Sequence, residues 1–582
     1  TKSCSNNGVG GNSYKRTRSC NLENNWSALF TLSFEPDETH NQHMKNSWLL
    51  LRLVFLVSFF FGFASSSKAQ GFLKTSGTRI LNDRGENVLL RGIGPGGWML
   101  QEGYMLRIDE KGQQHKIRER IQKLVGEEKT NAFYEAWLGN HTTRDDIEAM
   151  KAWGFNSVRL PMHYNLYTLP VDKEPVAGKN TWLSKGFAMT DSLLQWCKDN
   201  QLWLILDLHA APGGQGNDLN ISDRDDTKPS LWDLKANRDK TIALWKELAR
   251  RYMNEPMIAA YDVINEPNWG FEDPKDKNGL QEKGNVPLKE LLVDITRAIR
   301  EVDTNHIIII EGNGWGNNYN GMLPPWDRNM VLSFHKYWNY NNDEAIKHIL
   351  QIREQYQVPV WLGETGENSN VWFTEAIRLL EQHNIGWAWW PLKKIGINNP
   401  LEIAPSMEYQ QLLDYWNGKS KVQPNAATAW KALQQLAGAA HFKTNIIHKD
   451  VVDAMIRQPH SNATIPFAAN IINGHAHILA ADYDYGSNGH AYFDMDTANY
   501  RVSTGQNSAG NRGHTYRNDG VDIERGKNKV FVSNTEKGEW LQYTLRVEKA
   551  GNYTIRLLAG AERKGAKASL LLNGNIVAKS FP

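Results

Sequence analysis

The chain has 582 residues, more than one hydrophobic core usually organises, so at least two domains are expected. It is 41% apolar and 22% charged with a formal net charge of +2, a balance that offers no basic surface for nucleic acid or an anionic membrane. Its 22 tryptophans stand out, because an indole has a flat apolar face and a polar edge, and sugars present C–H faces that stack on it. Most of them are still expected in the core.

Residues 1–43 are polar, rich in Asn and Ser, and without periodicity, and they read as an upstream or non-native leader. Met44 is followed by Lys45, a hydrophobic run over 48–64 and the small-residue stretch Ser65-Ser66-Ser67-Lys68-Ala69. Residues 44–69 therefore read as a secretory signal cut near Ala69, which predicts a periplasmic or extracellular protein with no membrane contact after cleavage. The competing reading is a membrane anchor, against which Arg52 interrupts the apolar run. Cys4 and Cys20 fall in the leader, and Cys197 sits on a helical pattern. A disulfide framework and a cysteine metal site are both excluded for the remainder.

Over 78–437 short apolar runs alternate with longer segments of helical period. The runs are 90–93, 157–162, 204–209, 258–267, 306–312, 330–338, 358–366 and 385–391; helical patterns cover 143–153, 231–252, 288–302, 343–356 and 373–383. Continuous apolar strands each followed by a helix imply a parallel sheet covered on its outer face. Eight units fit a (β/α)8 TIM barrel, an α/β fold, better than an open doubly wound sheet with its Gly-rich phosphate turn. A barrel carries its active site at the C-terminal ends of its strands. There the sequence places Arg159 and His163, Asp207 and His209, Asn265 and Glu266, His335 and Tyr337, Glu364 and Trp390.

Glu266 and Glu364 would then face each other across the mouth, and a pair of carboxyl groups suggests glycoside hydrolysis. A separation of about 5–5.5 Å would retain anomeric configuration, and about 6.5–9.5 Å would leave room for an inverting water. Roles follow from surroundings: the acid needs burial or nearby negative charge, the nucleophile a nearby cation. Arg159 is the natural cation for Glu364 and the Tyr337 hydroxyl its natural donor. Asp207, inside its strand, reads as a structural partner of Arg159. Glu367, in the following loop, is a rival for the role of Glu364. His163, His209 and His335 read as hydrogen-bonding wall residues, with a metal site as the alternative. Trp387 and Trp389 share one strand face and Trp390 the other, so at least one of the three is core.

Asn265-Glu266-Pro267, Gly363-Glu364, Arg159-Leu160-Pro161, His209, His335-Lys336-Tyr337 and Gly386-Trp387-Ala388-Trp389-Trp390 together resemble the catalytic domain of glycoside hydrolase family 5, over about 71–438. The resemblance implies retaining double displacement without metal or cofactor. It makes Glu266 the acid/base and Glu364 the nucleophile, and puts Asn265 on the sugar 2-hydroxyl. Arg159 and Tyr337 would position Glu364, His209 and His335 would line the donor subsite, and Trp390 would form its floor. Trp98 and Trp269 stand as further sugar contacts, with Trp315 and Trp338 also near strand ends. The implied substrate is a β-glucan cut by a monomer. Endo-β-1,4-glucanase is the leading expectation. Gly94-Pro95-Gly96-Gly97-Trp98 and His209-Ala210-Ala211-Pro212-Gly213-Gly214-Gln215 resemble a branch with exo-acting β-1,3-glucanases, and mannanase is another alternative. A non-catalytic carbohydrate-binding protein would be expected to lack one acid, and an aldolase would need a strand-end lysine.

Residues 439–474 read as a connector. Over 475–582 the pattern changes to short alternating strands with Gly and Asn turns, as in a β-sandwich. Ile478-Leu479-Ala480-Ala481-Asp482-Tyr483-Asp484, Tyr516-Arg517-Asn518-Asp519-Gly520-Val521-Asp522-Ile523 and Gly538-Glu539-Trp540-Leu541-Gln542-Tyr543-Thr544 resemble a family 6 carbohydrate-binding module. That implies Tyr516 as one wall of a sugar cleft, with Trp540 read as core. Leu479 and Ala481 stand where the family has calcium-site residues, which puts calcium in doubt. The sequence ends at Ser580-Phe581-Pro582, before the second cleft aromatic, so the module reads as truncated.

Overall fold

The computed structural model describes residues 31–36, 71–495, 515–527, 529–560 and 567–579; the signal-like stretch at 44–69 lies outside the described residues. Eight strands close a barrel: β1 (Arg91–Ile93), β2 (Ser157–His163), β3 (Trp203–Ala210), β4 (Ile258–Asp262), β5 (Ile307–Glu311), β6 (Met330–Lys336), β7 (Val360–Gly366) and β8 (Trp387–Trp390). Each pairs in parallel with its sequence neighbours, and β8 returns to β1. The strands form because their residues are β-branched or large and apolar on both faces, as in the run Ile307-Ile308-Ile309-Ile310 of β5, all buried.

Helices cover the outside: α1 (Gln114–Val125), α2 (Glu127–His141) and α3 (Arg144–Trp153) between β1 and β2, then α4 (Ser184–Asn200), α5 (Lys235–Tyr252), α6 (Val286–Arg300), α7 (Asp343–Tyr356) and α8 (Asn370–Gln382). After β8 follow α9 (Met407–Trp416), α10 (Ala426–Ala439) and α11 (Lys449–Ile456). The barrel interior is itself packed, by Ile205, Ile307, Ile309, Val331, Trp361 and Ala388. The hairpin of Lys74–Ser76 with Arg79–Leu81 contributes Leu73 and Ile80 to the same cluster and closes the end away from the polar strand termini. Trp387 and Trp389 are core, with Trp389 edge-on to Phe373 of α8 at 5.0 Å, a contact adding about 0.5–1.5 kcal/mol to burial. A second core joins α1 and α2 to α9 and α10 through Ile117, Phe133, Trp137, Leu412 and Leu433. These four helices lie outside the helical patterns read from the sequence. The reason is visible in α2, where Phe133, Trp137 and His141 form a narrow buried stripe in an otherwise polar helix.

Beyond 469 the chain is β-rich, in short pairs: Asn470–Ile472 with Leu545–Val547, Tyr492–Phe493 with Trp540–Leu541, and Ile523–Arg525 with Val530–Val532. Thr31–Pro36, within the stretch read as a leader, is a strand lying antiparallel between Ala476–Leu479 and Tyr553–Leu557. Trp540 is not core: it is 41% exposed, because its strand has two residues and the buried side of the pair is held by Tyr492. Among the described residues no helix is long and apolar enough to cross a membrane.

Candidate active site

The polar strand ends converge on one buried cation. The Arg159 guanidinium, in the middle of β2, is 1% exposed. Its Nε donates to Asp262 Oδ2 at 2.9 Å, and its Nη2 to Asn265 Oδ1 at 2.7 Å and Glu311 Oε1 at 3.1 Å. Nη1 donates to Glu364 Oε2 at 2.8 Å and lies 3.3 Å from Asp207 Oδ2. Burial works against the charge, but four carboxylates outweigh it and hold the Arg159 pKa well above its ordinary value. Burial pushes Asp207 and Asp262 well up, which relieves part of the crowded negative charge.

Glu364, on β7, has both oxygens engaged: Oε2 by Arg159 and Oε1 by the Tyr337 hydroxyl at 2.8 Å. Two donors, one of them a permanent cation, stabilise the ionised carboxylate. Glu266 has different company. The chain leaves β4 at Asp262 and turns through a left-handed residue, Glu266 itself with φ 43°, its amide donating to Glu311 Oε2 at 2.7 Å. That turn aims the Glu266 carboxyl at His335 Nδ1, 2.6 Å away. Burial pushes the Glu266 carboxyl up to about 7, against the opposing pull of His335. His335 is gripped from the other side by Glu311 at 3.1 Å. Burial disfavours the imidazolium, but Glu311 and Glu266 together raise its pKa well above the ordinary histidine value.

Oxygens of Glu266 and Glu364 and a ring nitrogen of His335 lie within 4.8 Å of one another. The trio has the residue types of a metal site. Both His335 nitrogens are committed to carboxylates, so no lone pair of that ring points at a cation.

His209 Nδ1 faces Asp207 Oδ2 at 2.7 Å and Nε2 faces Asn265 Nδ2 at 3.2 Å. Burial pushes His209 down to about 3, so the ring is neutral, donating to Asp207 and accepting from Asn265. It stacks on Trp390, centroids 4.8 Å apart and planes 6° from parallel. Trp390 lies over Gly94 and Gly96, where an added Cβ would come within 3.0 and 2.8 Å of the indole. Its Nε1 donates to the Tyr104 hydroxyl at 2.9 Å.

The structure thus brings Arg159, His209, Asn265, Glu266, His335, Tyr337, Glu364 and Trp390 together. Trp269 is half-buried, its ring 4.7 Å beneath the Arg224 guanidinium. Trp98 is a correction: it packs inside the barrel's main core, its Nε1 donating to Leu138 O at 2.8 Å, so it is a core residue. His163 is turned to Asp223, 3.0 Å away. Tyr516 leans on Phe467 with ring centroids 5.7 Å apart, and its hydroxyl donates to Asp482 at 2.5 Å.

Three features escaped the sequence reading. Glu311 ends β5 as the other polar residues end their strands, and that position was the available signal. Asp262 closes β4 one turn before Glu266. The third is a cluster beside Trp390. Glu102 is 5% exposed, and burial followed by the nearby Glu364, Glu367 and Glu266 push its pKa well up. Lys394 Nζ pairs with Glu367 at 3.2 Å and lies 5.7 Å from the Tyr104 ring centroid.

Comparison with known proteins places the chain among glycoside hydrolases. A β-xylosidase of Phanerodontia chrysosporium is 27% identical over 400 residues, 62% of this chain and 78% of that protein. Endoglucanase C of Acetivibrio thermocellus is 24% identical over 315 residues, 44% of this chain and 84% of that protein. A probable glucan 1,3-β-glucosidase A of Aspergillus fumigatus is 25% identical over 260 residues, 44% of this chain and 57% of that protein. Among solved structures, an endogalactoceramidase aligns with 19% identity and a TM-score of 0.41, over 63% of this chain and 84% of that one. Residues 110–395 match the family model described as cellulase, glycosyl hydrolase family 5. The barrel is similar to that family over those residues, and the chain is a glycoside hydrolase.

Proposed function

We propose that the chain hydrolyses β-glucan with retention of anomeric configuration, through a covalent glycosyl-enzyme on Glu364. One observation carries the reading: a carboxyl oxygen of Glu266 and one of Glu364 lie within 4.8 Å of one another, on the short side of the about 6.5–9.5 Å that an inverting water needs, with different hydrogen-bond partners. Glu266, still half protonated at about pH 7, gives its proton to the glycosidic oxygen as Glu364 Oε attacks the anomeric carbon from the opposite face. The C–O bond to the leaving sugar breaks and an ester to Glu364 forms. Glu266, now ionised, takes a proton from water, whose oxygen attacks the same carbon and releases Glu364. Asn265 is suited to the 2-hydroxyl because Arg159 and His209 fix its amide, and a fixed donor strengthens with the charge that develops on the sugar. Trp390 supplies the apolar floor.

Within that class we favour endo-cleavage of β-1,4-glucan, supported by the endoglucanase likeness and by half-buried Trp269, Trp315 and Trp338 around the mouth. A second reading, release of terminal sugars including by β-1,3 cleavage, is favoured by the Glu367–Lys394 pair, which connects to Trp390 through Tyr104. Secretion as a monomer after removal of 44–69 completes the proposal and rests on the sequence pattern alone.

The test is reducing-sugar release from carboxymethyl-cellulose, laminarin, mannan and xylan, with viscosity followed in parallel. Rapid viscosity loss on carboxymethyl-cellulose is expected; laminarin alone would move the reading to β-1,3 linkages. Sugar release without viscosity loss would establish exo action, and no activity on any of the four would sink the glucanase proposal.

A further inference from the structure

The loop that follows Glu364 is covered by residues about 150 positions further along the chain. Asn368, Ser369 and Asn370 link β7 to α8 at the rim of the barrel, and all three are at most 1% exposed. Their cover is Asp450 of α11 together with the corner Arg517-Asn518-Asp519. Asn518 Nδ2 donates to Asn368 O at 2.8 Å and to Asn370 Oδ1 at 3.1 Å, and Asn518 O accepts from Asn370 N at 3.0 Å. Asn370 Nδ2 donates to Asp450 Oδ2 at 2.8 Å and to Asp519 Oδ1 at 3.0 Å; Asp450 Oδ2 also accepts from Asn518 N at 2.8 Å. Asp519 is fixed in turn by Arg517 at 2.8 Å and the Tyr483 hydroxyl at 3.0 Å, with the Arg517 guanidinium 3.6 Å from the Tyr483 ring centroid. Buried hydrogen bonds between polar groups fix one geometry, because any slip leaves a desolvated partner.

What this corner holds is next to the chemistry. Glu367 precedes Asn368 and sits in the left-handed region, φ 55°, a conformation that costs a non-glycine residue about 1–3 kcal/mol and persists only where surroundings impose it. Its carboxylate pairs with Lys394, whose ammonium lies against Tyr104, and the Tyr104 hydroxyl accepts from Trp390. Contacts therefore run unbroken from Asn518 to the floor of the sugar site.

We propose that Asn518 and Asp519 are positioning residues of the active site: they hold the 367–370 loop and, through Glu367 and Lys394, the wall beside Trp390. On this account the C-terminal region shapes substrate binding in the barrel and is not a separately tethered sugar-binding module. The kinetic part rests on the glycosidase reading above; the docking part does not.

The experiment uses the full chain with Asn518→Ala, the milder Asn518→Ser in case the first does not fold, and Leu571→Ala as a control on the exposed face of the same region. Hydrogen exchange of peptides over 365–372 is expected to be at least tenfold faster in the Asn518 variants, with peptides from β2 and β5 unchanged. KM for a soluble β-glucan oligosaccharide should rise at least fivefold. KM is independent of how much enzyme is folded, so a merely destabilised variant would lose kcat per mole of chain instead. The KM effects of Asn518→Ala and Glu367→Gln should be less than multiplicative when combined, since one acts through the other. Unchanged exchange over 365–372, or faster exchange with KM within twofold of wild type, would overturn the proposal. If the wild-type chain cleaves no glycan, the glycosidase reading falls, and the exchange measurement still decides whether the corner holds the loop.

Discussion

Glu266 and Glu364 are the same side chain at the ends of two strands of one barrel and are equally buried, yet different groups reach their oxygens. On the β7 side, Glu364 meets a permanent cation and a hydroxyl donor. On the β4 side, Glu266 meets an imidazolium that is itself shared with Glu311, and burial prevails, pushing its pKa to about 7. The lesson is that neighbours can divide roles between identical side chains, and the proposed acid and nucleophile rest on that difference.

Removing each side in turn breaks the comparison. Glu364→Ala should lower kcat on the order of 10⁴-fold or more, since it removes the carboxylate proposed to form the ester. A loss below a hundredfold in active-site-titrated enzyme would reassign the nucleophile. Glu266→Gln should cost on the order of 10²–10⁴-fold on unactivated glycans. The loss should be far smaller on aryl glycosides with good leaving groups, which need no proton. The sign of the pH dependence follows from the raised pKa: wild-type kcat/KM should fall as pH rises through about 7, and the Gln variant should lack that limb.

Arg159→Met tests the shared hub. Four carboxyl groups would lose their buried counter-charge, and the expected destabilisation is about 3–5 kcal/mol, read from denaturant unfolding. The smallest effect sharpens the β4 side alone. Because His335 pulls the Glu266 carboxyl down, His335→Gln should move the alkaline limb upward from about 7. A downward move would mean that His335 is not charged in the folded protein.

The barrel was legible because each buried strand announces itself twice, as a continuous apolar run and as an abrupt polar end. By that rule His209, Asn265, His335, Tyr337 and Trp390 fall at one mouth of the barrel, while Arg159 lies inside its strand. Glu311 obeys it equally, behind four isoleucines. Trp98 is the opposite case: a tryptophan near a strand end reads as a sugar platform, and only the packing of α2 shows Leu138 O capping its indole nitrogen. Trp540 misled because a two-residue strand has too little alternation to assign a face. The corner at 517–519 could not be read from local pattern at all. Its meaning lies in bonds to Asn368 and Asn370, a separation that no periodicity spans.

The central claim, that Glu364 forms a covalent intermediate while Glu266 manages the proton, is tested most directly by the anomeric configuration of the first product, followed by proton NMR during hydrolysis of a soluble β-glucan oligosaccharide. The account predicts that the β-anomer appears first and converts to the α-anomer only at the rate of mutarotation. Initial appearance of the α-anomer would mean a single displacement by water, and would contradict both the assigned roles and the reading of the 4.8 Å separation.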